Sequence, residues 1–145
     1  MQFSNNYLPK SLSRRDKTKQ RKELKKSKKN YRTKKGKAKY YTRAKIKSYK
    51  NKSSSWTQQF HKLYPNITSY KDISKATGIP QAALKAVVRK GKGAYFSSGS
   101  RPNQTATSWG KARLYSYILG GKTRNVDKHI TIKYGVKFKH RSKKS

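Results

Sequence analysis

The sequence predicts a mainly α protein: a small helical domain with a helix-turn-helix-like pair and a long glycine-rich loop, preceded by a basic arm that is extended or disordered. Three observations lead there. Between residues 53 and 135 the apolar residues recur at helical spacing. Capping residues open these stretches and Gly or Pro closes them. Before residue 53 the apolar residues thin out, and residues 1–52 hold 21 Lys/Arg against two acids, a net of +19.

The arm, 1–52, has too little apolar surface to repay its own ordering entropy, so it is expected to be disordered or ordered by a partner. One short helix is expected in it, Arg14 to Lys28. Ser13 and Asp16 form an S-x-x-D capping box at its start. Asp16 suits the positive end of the helix, and the lysines after Leu24 suit the negative end.

The compact domain, 53–135, follows in order. Trp56, Phe60, Leu63 and Tyr64 mark a helix of about Ser54 to Tyr64, ended by Pro65. Ser69 and Asp72 cap a short helix that runs through Thr77 with Ile73 inward. Gly78 stops it in the left-handed conformation. Pro80 opens the next helix, where a missing N–H costs nothing, and Leu84, Val87 and Val88 give that helix its inner face. Gly91 is expected to end it. The stretch Gly91 to Thr105, GKGAYFSSGSRPNQT, reads as a loop long enough to need a reason. Thr107 then caps a helix with Trp109, Ala112, Tyr115 or Ser116, and Leu119 on its inner face, stopped by Gly120-Gly121. Residues 126–138 carry both helical and alternating patterns and are read as a helix followed by a short extended piece. Residues 136–145 are a basic tail.

Charge bounds the function. The 145 residues hold 40 Lys+Arg and 4 Asp+Glu, a net charge of +36. A field of that strength calls for a polyanion. Duplex DNA carries one charge per ~1.7 Å, so one chain matches the charge of roughly 60 Å of duplex. RNA is an equal electrostatic partner. A membrane is not expected: no apolar run is long enough to span one, and MQFSNNYLPKS lacks the apolar stretch of a signal peptide. With no cysteine, disulfides and Cys-based zinc sites are excluded. Two acids in the domain are too few for a magnesium-dependent reaction, so no enzyme activity, catalytic residue, metal or cofactor is expected. Asp127 is expected to cap its helix or pair with an arginine.

The residues expected to meet nucleic acid or another anion are Arg14, Arg15, Lys25, Lys26, Lys28, Lys29, Arg32, Lys34 and Lys35 in the arm. In the domain they are Lys85, Arg89, Lys92, Arg101, Arg113 and Lys122. Blocks such as KKSKK and RRDKTKQRK also suit nuclear localisation. DISKATGIPQAALKAVVRKG has the outline of a helix-turn-helix with Gln81, Ala82, Lys85 and Arg89 outward; the alternative is a plain pair of core helices. In the glycine-rich loop, clustered amides, hydroxyls and Arg101 suit a phosphate. The loop is either that or a structural plug. Tyr95 and Phe96 either stack on bases or pin the loop. Arg113 either lines the site or satisfies loop carbonyls.

The run GIPQAALKAVVRKGKGAYFSSGSRPNQTATSWGKARLYSYILGGKTRNVDKHI resembles an uncharacterised small basic-domain family of large double-stranded DNA viruses of algae and protists, with relatives in tailed phages. LPKSLSRRDKTKQRKELKKSKKNYRTKKGKAKYYTR is similar to the basic arm of its algal-virus members. The signature positions are Gly91, Gly93, Ala94, Tyr95, Gly99, Arg101, Pro102, Gln104, Trp109, Ala112, Arg113, Gly121, Lys122 and Asp127. The resemblance implies a virion protein, present in the host nucleus or cytoplasm during infection, and supplies no activity. Charge and resemblance together predict a virion-associated protein that neutralises, condenses or tethers the DNA genome, largely without sequence specificity. One alternative is a minor capsid or internal scaffold protein whose arm threads between acidic capsid subunits. Another is a ribosomal-type RNA-binding protein.

Overall fold

The computed structural model describes residues 7–33, 35–51 and 54–142. They form seven α-helices and one 3-10 helix, with no strand among them, so the protein is mainly α as expected. The helices are α1 (Arg14–Thr33), α2 (Ser55–Leu63), α3 (Tyr70–Thr77), α4 (Gln81–Ser97), α5 (Ala106–Leu119), α6 (Thr123–Val126) and α7 (Lys128–Tyr134). The 3-10 helix is Gly36–Tyr40. Lys34 and the expected boundary at residues 52 and 53 lie outside the described residues.

The chain forms two compact units. One joins Met1–Lys52 to Lys92–Trp109, and the other joins Ser53–Gly91 to Gly110–Ser145. The arm is therefore not a separate segment here. It folds with residues 92–109, which the sequence reading had kept in the domain.

In the first unit α1 begins as its capping box predicts: the Asp16 N–H donates to Ser13 Oγ at 3.2 Å. It runs one turn further than expected. Its buried positions are Gln20, Leu24 and Ser27, a narrow stripe at helical spacing. Leu24 joins Leu12, Ile46, Tyr95 and Phe96 among the buried apolar residues. Phe96 meets three aromatic neighbours: Tyr31 stacks on it at 6.3 Å, and Tyr40 and Tyr95 meet it edge-on at 5.2 and 5.0 Å. Tyr95 and Phe96 are thus pinning residues.

The second unit holds the larger apolar cluster. Phe60 of α2, Ile73 of α3, Leu84 and Val87 of α4, Leu114 and Ile118 of α5 and Ile130 of α7 lie in it. Residues 114–119, the mainly apolar C-terminal part of α5, are buried all round. Ser69 Oγ accepts the Asp72 N–H to start α3, and Gly78 closes it at φ +75°. Residues 128–134 are helical and end at Gly135, as the first of the two patterns suggested. The piece that follows is not a free tail: Val136 is buried, Phe138 packs edge-on against Tyr117 at 5.0 Å, and Lys139 donates to Ala76 O at 2.9 Å.

Three expectations are corrected. Gly91 does not end α4, which continues through Gly93 to Ser97. The loop is accordingly short, 98–105, and α5 starts from a reciprocal cap in which Thr105 and Ser108 exchange N–H to Oγ bonds at 3.0 Å each. Trp109 is half-buried in the first unit, edge-on to Tyr7 at 6.0 Å, and does not join the apolar cluster.

Gly91 sits inside a helix because α5 passes too close for a side chain. A Cβ there would stand 2.6 Å from the Gly110 Cα. The helix-propensity cost of glycine, ~1 kcal/mol, is accepted for that approach. Gly91→Ala should therefore destabilise rather than stabilise, by about 1–3 kcal/mol as an overpacking change. Thermal unfolding would show the lowered Tm; an unchanged or raised Tm would contradict the close packing.

Candidate nucleic-acid interface

α1 is built from good helix formers, mostly Lys, Arg, Gln and Glu. Eleven of its 20 residues are cationic. At ~100° per residue they spread over roughly 200° of the helix, opposite the stripe of Gln20, Leu24 and Ser27. Arg14, Arg15, Lys19, Arg21, Lys22, Lys25, Lys26, Lys29 and Arg32 are exposed, and Lys17 and Lys28 are half-buried at the border. Arg14, Arg15, Thr18, Lys19 and Lys22 line an open concavity of about 660 Å³.

The two carboxylates of this helix do not dilute that face. Asp16 accepts the Ser48 N–H at 2.9 Å, and the bonds from Ser48 hold its carboxyl below the usual range. Glu23 accepts the Tyr41 hydroxyl at 2.6 Å and the Ala44 N–H at 3.1 Å. Both are engaged by the extended segment that follows the 3-10 helix.

Why two polar residues occupy the buried stripe is clear from their partners. Gln20 Nε2 donates to Tyr7 O at 3.2 Å, and Ser27 Oγ donates to Phe96 O at 3.1 Å. Beside them lies Arg43, which sequence reasoning missed. Its guanidinium donates to Tyr95 O at 2.6 Å, to Ser27 Oγ at 3.1 Å and to Ser100 Oγ, and it stacks 3.9 Å from the centre of the Tyr95 ring. Burial pushes its pKa below the ordinary arginine value. A lone arginine in a basic segment carries no sequence signal of burial, which is why it was overlooked.

The GSRPNQT stretch acts as a plug. Asn103, in the left-handed region at φ +63°, grips the backbone of residue 46 from both sides. Its Oδ1 accepts the Ile46 N–H at 2.7 Å and its Nδ2 donates to Ile46 O at 3.0 Å. Ser100 is buried and takes the Arg43 fork. The hydroxyls of Ser97, Ser100 and Thr105 and the N–H groups of Ser98, Gly99 and Thr105 are thus spent on the chain itself. Arg101 is half-buried, 5.8 Å from the Trp109 ring centre.

The remaining candidates divide. Lys35, Lys85, Arg89, Lys92 and Lys122 are exposed. Arg113 is removed from the anion-binding set: its Nε and Nη2 hold the two Asp127 oxygens at 2.9 and 2.6 Å, and Asp127 is fully buried. That pairing was one of two roles expected for Asp127. Among the described residues Arg113 meets no loop carbonyl. Among the described residues no group of His, Cys, Asp or Glu is placed to hold a metal, and no helix is long and apolar enough to cross a membrane.

An all-α protein with one helix turned into a cationic rod is the class these features define. Residues 6–133 match the family of unknown function DUF5824, and the chain belongs to that family. No curated protein and no solved structure matches it.

Two changes test the clasp on α1. Arg43→Ala leaves buried acceptors without donors and should cost the first unit about 2–3 kcal/mol, with Arg43→Lys recovering only part because it lacks the planar fork. Amide exchange in α1 reports this directly; unaltered protection in Arg43→Ala would remove Arg43 from its role. The Tyr41 phenol, held neutral chiefly by its bond to Glu23, has its pKa pushed up to about 12. A raised phenol pKa means that its contribution is complete below the unfolded value, ~10, and is lost as pH rises towards 12. α1 should therefore loosen across that alkaline window, and Tyr41→Phe should remove the step from a circular-dichroism titration.

Proposed function

We propose that the protein is a virion-associated nucleic-acid-binding protein that neutralises and tethers the DNA genome through the basic face of α1, largely without sequence specificity. The observation that carries this reading is the eleven-cation helix whose carboxylates are both engaged elsewhere. Like charges stand four apart along it, as at Arg15 and Lys19, Lys22 and Lys26, and Lys25 and Lys29. Each such pair destabilises a helix by about 0.2–0.5 kcal/mol. A row of phosphates relieves that repulsion and releases its own counterions, so both partners gain. The viral setting rests on the resemblance of the GSRPNQT…SWGKAR…GGK…VD signature.

The arm packs on residues of its own chain, which counts against a capsid scaffold whose arm orders only between other subunits. The exposed face of α1 carries no aromatic ring. Proteins that hold single strands rely on such rings for stacking, so a duplex is the better fit.

Binding to duplex DNA should be tight and steeply salt-dependent. With 6–10 phosphates engaged, affinity should fall on the order of 10³–10⁵-fold between 50 and 200 mM salt. Replacing Lys22, Lys25, Lys26 and Lys29 with Gln should lower the slope of log K against log salt by roughly 3 to 4. Fluorescence anisotropy over a salt series measures both. A shallow slope in the parent, or the same slope in the variant, sinks the assignment to α1. In purified particles the protein should leave with the released genome; retention on the emptied shell would favour the capsid reading.

A further inference from the structure

We propose that α3 and α4 form a second DNA-binding surface, a helix-turn-helix that reads base edges in the major groove. This goes beyond neutralisation by α1 and does not depend on it.

The turn between the two helices is held by its own hydrogen bonds. α3 ends at Thr77 and α4 begins at Gln81, so three residues join them. Gly78 takes the left-handed conformation, and its N–H returns to Ser74 O. Thr77 Oγ1 donates to Ile73 O at 2.7 Å and accepts the Ile79 N–H at 3.4 Å. Ile79 is buried in the middle of the turn. Pro80 O accepts the N–H groups of Ala83 and Leu84, which starts α4.

Both helices then show one face to the core. Ile73, Ile79, Ala83, Leu84, Val87 and Val88 are buried in the same apolar cluster. The opposite row of α4 lies open: Pro80, Gln81, Ala82, Lys85 and Arg89 are exposed and Ala86 is half-buried. In a helix-turn-helix the second helix enters the major groove with its N-terminal half against the bases, while the first crosses the backbone. The row has the chemistry for that place. Glutamine pairs with an adenine edge, arginine and lysine with guanine, and alanine packs on a thymine methyl. The small side chain at Ala82 lets the helix sit close, while Ala86, at the edge of the row, packs back against the core.

On α3, Lys71 and Lys75 are exposed and about one turn apart, cations of the kind that contact phosphates. The outward row of α4 carries no carboxylate. Of the two acids in this unit, Asp127 is buried against Arg113 and Asp72 lies in the first turn of α3.

The test uses the full-length chain and a library of random 20-base-pair DNA duplexes, selected at salt high enough to weaken the contacts made by α1. A short enriched motif is expected. Gln81→Ala and Arg89→Ala, both at exposed positions, should each lose about tenfold discrimination at one base pair of that motif. Their melting temperatures should stay near the parent value, and Gln81→Ala, which removes no charge, should keep the parent's affinity for unselected DNA at low salt. An RNA duplex of the motif sequence should compete poorly, because its major groove is too deep and narrow for a helix. The absence of any enriched motif overturns the proposal, as does a motif unchanged in both variants or equal competition by the RNA duplex. The α1 glutamine variant separates the two readings: it should show the lowered salt slope and keep the motif.

Discussion

A chain with forty cations and four carboxylates must hold itself together almost without ion pairs. Every contact described above is shaped by that constraint. Among the described residues one salt bridge forms, between Arg113 and the buried Asp127. Elsewhere the cations that turn inward find carbonyl oxygens and aromatic faces instead. Arg43 takes the Tyr95 carbonyl and ring. Arg124 donates to Tyr117 O and Ile118 O at the end of α5 and lies 3.7 Å from the Phe138 ring centre. Lys139 takes the last turn of α3 in the same way. Carbonyls at helix C-termini are the unpaired acceptors of the fold, and cations there also meet the negative end of the helix dipole. The two carboxylates of α1, Asp16 and Glu23, are spent on backbone N–H groups and a hydroxyl, so the outer face of the helix is left with one sign of charge.

Much of the fold was legible because helix ends are written in short-range chemistry. Ser13 with Asp16, and Ser69 with Asp72, announced two helix starts through bonds that span three residues. Gly78 and Gly120 announced ends. Long-range requirements left weaker marks. Gly91 carries the same letter as a helix stop, but its reason is the approach of Gly110, a neighbour only in space. Residues 92–97 were read as loop for that reason alone.

The basic face of α1 was visible as charge, though its arc was not, because the arc is defined by which residues are buried behind it. Gln20 and Ser27 look like surface residues in any pattern of hydrophobicity. They are inside because carbonyls of residues 7 and 96 need donors. Arg43 is the extreme case, since a cation among cations has no distinguishing neighbourhood in sequence. Arg101 and the GSRPNQT hydroxyls erred the other way: a composition suited to phosphate serves to bind the chain's own backbone, and both uses need the same donors and acceptors.

The polar stripe under α1 has a consequence for how its charge is displayed. Apolar stripes tolerate sliding, because one methyl surface resembles the next. A glutamine, a serine and an arginine that each address a named carbonyl or hydroxyl do not. Shifting the helix by one turn would strand those acceptors without donors, at a cost of about 1–3 kcal/mol for each buried group. The azimuth and register of α1 are thereby keyed, like a shaft in a slotted hub. Its cations form a fixed stencil of positive points instead of a loose brush. A polyanion that meets a stencil has to conform to the spacing it finds.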